Sequence, residues 1–121
     1  MTSDSAPRGD TSSRVRQWMC GTVVVLDLAG PFAGPDVLVL RRSLTTALAL
    51  RSVPLVVLNA RRAGGIDPEA LLIIAAAGRY AREAGGRLIV AGLPGAAGPL
   101  DDVETRDTLE QALAELVRTK P

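Results

Sequence analysis

The sequence predicts one α/β domain: a mostly parallel or mixed sheet of four to five strands with helices packed on it. Three observations carry this expectation. Apolar runs of strand length, rich in β-branched residues, occur at Thr22–Leu28 (TVVVLDL), Leu55–Asn59 (LVVLN) and Arg87–Ala91 (RLIVA). Between them lie longer segments whose apolar residues recur at helical spacing. The junctions carry Pro, Asp and Gly where helices start and stop. A chain of 121 residues, 47% of them hydrophobic, is long and apolar enough for a single core without a metal or a disulfide.

The elements follow in order. Met1–Ser13 is rich in Ser, Asp, Gly and Pro and is expected to be a disordered tail, leaving residues 14–118 as the domain. Arg14–Met19 alternates weakly and is placed as the first arm of a hairpin with the Thr22–Leu28 strand. Gly30-Pro31 ends that strand, and Gly34-Pro35-Asp36 opens a helix with a buried stripe of Val37, Leu40, Leu44, Ala47 and Leu48. Pro54 precedes the strand Leu55–Asn59, and strand, helix and strand make a right-handed βαβ unit.

Asp67-Pro68-Glu69 is a strong helix start. Asp67 is expected to cap the first N–H groups, Pro68 needs no donor, and Glu69 opposes the positive helix end. This helix runs to about Ala84, with Ala70, Ile74, Ala77, Ala81 and Ala84 as its tight face, and Gly85-Gly86 stops it. After Arg87–Ala91 come a glycine-rich loop, Gly92–Gly98, and a short edge strand at Val103–Thr105. The last helix is read with Asp107 as cap and Glu110 at its third position. Leu109, Ala112, Leu113, Leu116 and Val117 form its core face.

Composition excludes several chemistries. The chain has no histidine and one cysteine, Cys20, so it lacks a Ser-His-Asp triad, a zinc site and an internal disulfide. No catalytic residue, metal ligand or cofactor is expected, and a reducing, cytoplasmic setting is the default. Fourteen basic against thirteen acidic residues give a net charge of +1, without the footprint of a nucleic-acid or membrane binder. Only Trp18, Phe32 and Tyr80 are aromatic, so the core is aliphatic. Gly92–Gly98 has the glycine spacings of a phosphate loop but no helix start behind it, which leaves nucleotide binding as a minor alternative. Arg41-Arg42 and Arg61-Arg62 read as solvated basic pairs, and Asp27 has no partner base in view.

The order of elements and several local motifs resemble the STAS family, which includes bacterial anti-sigma factor antagonists. The family's Gly-Glu-Leu-Asp segment corresponds to Gly30-Pro31-Phe32-Ala33, its V-L-D-L strand to Val57-Leu58-Asn59-Ala60, and its signature Asp-Ser-Ser-Gly-Leu to Asp67-Pro68-Glu69-Ala70-Leu71. Gly85–Val90 and Asp107–Leu113 match well, and the resemblance spans about Val15 to Leu116. It implies a protein-binding regulatory domain that is not an enzyme. The implied partner is an anti-sigma factor of the histidine-kinase-like ATPase type or another protein of a STAS pathway. A non-switching structural subunit of a larger signalling assembly is the alternative.

The departures bear on control. The family's phosphoacceptor serine corresponds to Glu69, preceded by Pro68, and neither carries a hydroxyl. Glu69 is either a partial imitation of phosphoserine, with one charge and two oxygens in place of a phosphate's larger charge and three, or simply a good first-turn residue. The partner surface implied by the family comprises Phe32 and Ala33 on the first loop and Asp67, Pro68, Glu69, Leu72 and Ile73 at the helix start. Leu71-Leu72-Ile73-Ile74 point nearly all around the helix. Leu72 or Ile73 is therefore either an exposed apolar contact or a residue covered by the Gly30–Pro35 loop.

Overall fold

A computed structural model describes residues 14–93 and 103–118. The expectations for Met1–Ser13 and for most of the Gly92–Gly98 loop lie outside these residues. The described elements are β1 (Val15–Cys20), β2 (Val23–Ala29), α1 (Pro35–Ala49), β3 (Leu55–Arg62), α2 (Pro68–Glu83), β4 (Arg87–Ala91), β5 (Glu104–Arg106) and α3 (Leu109–Arg118). They form one five-stranded mixed sheet in the order β1-β2-β3-β4-β5. The β1–β2 pair is an antiparallel hairpin, and every later pair is parallel. The expected class and order of elements therefore hold.

The strands are apolar on both faces because helices cover both. Val24, Leu26 and Leu28 of β2, with Val56 and Leu58 of β3 and Leu88 and Val90 of β4, face α1 and α2. The alternate residues, Val23, Val25, Leu55, Val57, Ile89 and Ala91, face α3. The buried stripe of α1 is Val37, Leu40, Leu44, Ala47 and Leu48, as its spacing predicts. The buried face of α2 is Ala70, Ile74, Ala77, Gly78 and Ala81, small enough for the helix to lie close to the sheet. Its C-terminus closes with a paired motif: Gly86 N–H donates to the Ala81 carbonyl (2.8 Å) and Gly85 N–H to that of Arg82 (3.0 Å).

Three expectations are corrected. The cap of α3 is Thr108, one residue later than Asp107. Its Oγ1 accepts from Gln111 N–H (3.1 Å), while Gln111 Oε1 accepts from the N–H groups of Thr108 (3.2 Å) and Asp107 (3.1 Å). A capping box therefore forms between Thr108 and Gln111, and Glu110 has no part in it. Val117 is 59% exposed rather than part of the core face, which Ala112 and Leu116 supply with Leu109 and Leu113 half-buried. Asp67 occupies the cap position of α2, but its carboxylate makes no capping hydrogen bond.

Polar side chains tie the far edge of the sheet to α3. Arg87 of β4 donates to Glu104 of β5 through Nε (3.0 Å) and to Glu115 of α3 (3.0 Å). Arg106 pairs with the same two carboxylates. The two guanidinium groups, Arg106 first, hold the Glu115 carboxyl down at about 2, well below its ordinary 4.5.

Candidate protein-docking site

The two segments that the sequence singled out meet at the C-terminal end of the parallel strands. Between Asp27 and Ala29 the β2–β3 ladder shifts register through a bulge, so that Asp27 pairs with Asn59 but Ala29 with Arg62, and β3 continues three residues past the expected Asn59. Past the strand ends the pairing persists between the two loops. Gly30 N–H donates to the Arg62 carbonyl (3.0 Å), Gly64 N–H to Gly30 (3.1 Å), Phe32 N–H to Gly65 (2.7 Å) and Asp67 N–H to Phe32 (3.0 Å). Phe32 and Ile66 form an isolated parallel bridge. The Gly30–Pro35 loop and the start of α2 are thus fixed to one another by main-chain hydrogen bonds.

Phe32 is the anchor of this junction. Its ring is fully buried in the core that faces α1 and α2, so it supports the surface from beneath and makes no contact with a partner. The sequence placed it on the partner surface because Gly30-Pro31-Phe32-Ala33 corresponds to the family's Gly-Glu-Leu-Asp segment. Burying the ring removes a large apolar area from water, which the exposed position would forfeit. Ala33, Pro68 and Glu69 are exposed and Asp67 is half-buried. Pro68 stands at the first helical position, where a missing N–H costs nothing, and Glu69 lies in the first turn near the positive helix end. No hydroxyl occurs from Ile66 to Leu72.

The alternatives for Leu72 and Ile73 separate. Leu72 is 61% exposed, so the Gly30–Pro35 loop does not cover it, while Ile73 is half-buried against the core. Leu72, Ala76 and Tyr80 follow at intervals of four and form one wall of an open groove between α1 and α2. Arg41, Thr45 and Ala49 form the other wall, and Leu44, Leu48 and Ala77 make the floor. The groove holds about 610 Å³. Glu69 stands on the α2 wall and Arg41 on the α1 wall, and neither has an ion-pair partner among the described residues. The contribution of α1 was missed from sequence, where Arg41-Arg42 read as a solvated pair. The spacing of Leu72 and Tyr80 off the tight face of α2 was the available signal.

Other polar groups are committed to structure. Asp27 on β2 accepts from Trp18 Nε1 (2.8 Å) and Asn59 Nδ2 (3.0 Å), and Arg16 lies 3.5 Å away. Its oxygens hold the hairpin to β3. Among the described residues no cluster of acidic and cysteine side chains could hold a metal ion, and no helix is long and apolar enough to cross a membrane.

No protein-family model and no curated protein matches the sequence. Solved structures do match. A putative anti-sigma factor antagonist from Thermotoga maritima superposes with a TM-score of 0.73 at 14% identity, over 89% of this chain and 98% of that one. An anti-sigma factor antagonist from Mycobacterium paratuberculosis gives 0.70 at 17% identity, over 85% and 92%. The phosphorylated form of SpoIIAA, a Bacillus cell-fate determinant, gives 0.62 at 20% identity, over 86% and 99%. With its antiparallel first hairpin, its parallel remainder and helices on both faces, the chain has the STAS-domain fold of the anti-sigma factor antagonists.

Proposed function

We propose that the chain is a protein-binding regulatory domain of the anti-sigma factor antagonist kind, acting without catalysis and without a cofactor. The observation that carries this reading is the main-chain stitching of the Gly30–Pro35 loop to the start of α2. It presents Ala33, Pro68, Glu69 and Leu72 as one rigid exposed surface at the end of the sheet. A preorganised surface loses little entropy on binding, and an exposed leucine beside a carboxylate suits a protein partner better than a small polar ligand. The partner is an anti-sigma factor of the histidine-kinase-like ATPase type, and the setting is cytoplasmic. Control by phosphorylation at the signature position is absent, because Pro68-Glu69 replaces both hydroxyls.

Calorimetric titration against such an ATPase from the same genome tests the reading. Leu72→Asp is expected to weaken binding by roughly ten-fold or more while leaving the urea midpoint nearly unchanged, since the residue is exposed. Binding that ignores Leu72→Asp and Pro68→Arg alike would remove this surface from the interface. Glu69→Gln and Glu69→Ser divide the two roles of Glu69. Tighter binding by both, reduced at high salt, follows if the carboxylate repels the partner as a phosphate would. Unchanged affinity leaves Glu69 as a helix-start residue.

A further inference from the structure

We propose that the outer face of the α1–α2 layer pairs with the same face of a second copy of this chain, about a two-fold axis running along the groove. Six large apolar side chains are exposed among the described residues, and four of them, Leu38, Leu50, Leu72 and Tyr80, belong to α1, α2 or the residue that ends α1. The sheet edge and α3 supply only Met19 and Val117. The layer therefore concentrates the apolar surface that water disfavours. Its groove of about 610 Å³ has an apolar floor and room for the side chains of a facing helix.

Charge decides the occupant. An isologous interface must be complementary to itself. Here one cation, Arg41, stands on the α1 wall and one anion, Glu69, on the α2 wall of the same groove, each without an ion-pair partner among the described residues. A two-fold axis along the groove sets α1 of one copy over α2 of the other. Arg41 then meets Glu69 of the second copy, and Glu69 meets Arg41 of the second copy. Two ion pairs form from one pair of residues. Beside them Leu72 and Tyr80 on the α2 wall of each copy pack against the α1 wall of the other, which carries Thr45 and Ala49. A second axis direction, across the groove, would set Arg41 over its own helix in the other copy and leave the charges unpaired.

Self-association does not depend on the docking reading, and its test contains no second protein. Sedimentation velocity of the full chain, from micromolar to millimolar concentration, is expected to show a reversible monomer–dimer equilibrium. Leu72→Asp and Tyr80→Arg, both at exposed helix positions, are each expected to abolish it, and urea melts establish that both variants fold. Arg41→Glu alone and Glu69→Arg alone set like charges opposite one another and are expected to raise the dimer dissociation constant roughly ten-fold or more. The double exchange, Arg41→Glu with Glu69→Arg, restores both pairs and is expected to return the constant to near the wild-type value. A chain that stays monomeric at millimolar concentration overturns the proposal and leaves the groove to a different protein's helix. A dimer that survives both apolar substitutions, or a double exchange as weak as the single ones, overturns it too.

Discussion

Gly86 passes so close to Pro54 that a methyl group on its α-carbon would lie 1.8 Å from the Pro54 carbonyl oxygen. The same oxygen accepts the Arg87 N–H (2.9 Å), so the end of α2 and the start of β4 are pinned to the entry of β3. The obstacle is backbone, which cannot turn aside as a side chain does. Gly86→Ala is expected to destabilise the domain by about 1–3 kcal/mol. Gly65→Ala, where an added methyl meets nothing within 4 Å and φ is not positive, is the control. It is expected to be neutral or stabilising by up to about 1 kcal/mol. Urea unfolding of the three proteins measures the contrast.

Phe32→Ala is expected to cost about 3–5 kcal/mol, because it empties a fully buried site beneath the two loops. Ala33→Ser, one residue along and exposed, is expected to change the unfolding midpoint by less than the equivalent of about 0.5 kcal/mol. Equal effects at the two positions would contradict the buried position of the ring.

The reciprocal cap of α3 predicts a coupling. Thr108→Ala and Gln111→Ala are each expected to cost about 1 kcal/mol, and the double variant less than their sum, since either change breaks the same box. Asp67→Ala at the start of α2 is expected to cost only about 0.3–1 kcal/mol. The charge there acts on the helix end without a side-chain hydrogen bond. Chemical denaturation with a double-mutant cycle checks both statements.

Glu115 makes stability depend on acid. Its carboxyl titrates at about 2 in the folded chain against an ordinary 4.5, so the folded state binds its proton less readily than the unfolded state. Its contribution is complete above about pH 4.5 and is lost as the pH falls through about 2. Glu115→Gln is expected to flatten the fall of the urea midpoint across that window. High salt is expected to shrink the difference, because the Glu115 side chain is 30% exposed.

The parts of this fold that were legible in the sequence are those set by local rules. Strand runs, the α1 stripe, the glycine stop of α2 and the parallel order all follow from residue period and from Pro and Gly placement. The elements that shifted depend on contacts between distant residues. β3 runs on to Arg62 because the bulged ladder with β2 continues, which no pattern within Leu55–Arg62 announces. The cap moved from Asp107 to Thr108 because Gln111, not Glu110, turns back to the helix start. Asp107-Thr108 offered two acceptable caps side by side, and choosing between them required that partner. In the candidate site, the helix start at Asp67-Pro68-Glu69 was legible from its residue pattern. Phe32 was misplaced, and the α1 wall was unread, because inward and outward directions on a loop or between two helices are settled only by packing.

The opposite placement of two aromatic side chains gives the protein its own pair of optical reporters. Trp18 is the only tryptophan. It packs on the α3 side of the sheet, with its indole N–H held by Asp27. Tyr80 is the only tyrosine, and it stands on the groove wall, across the sheet. Indole emission therefore follows the hairpin, Asp27 and the α3 layer as the domain melts, and is blind to events on the helical face opposite. Phenol absorbance and quenching follow occupation of the groove. Folding and surface occupancy have separate native chromophores in the wild-type chain, and neither measurement requires a label.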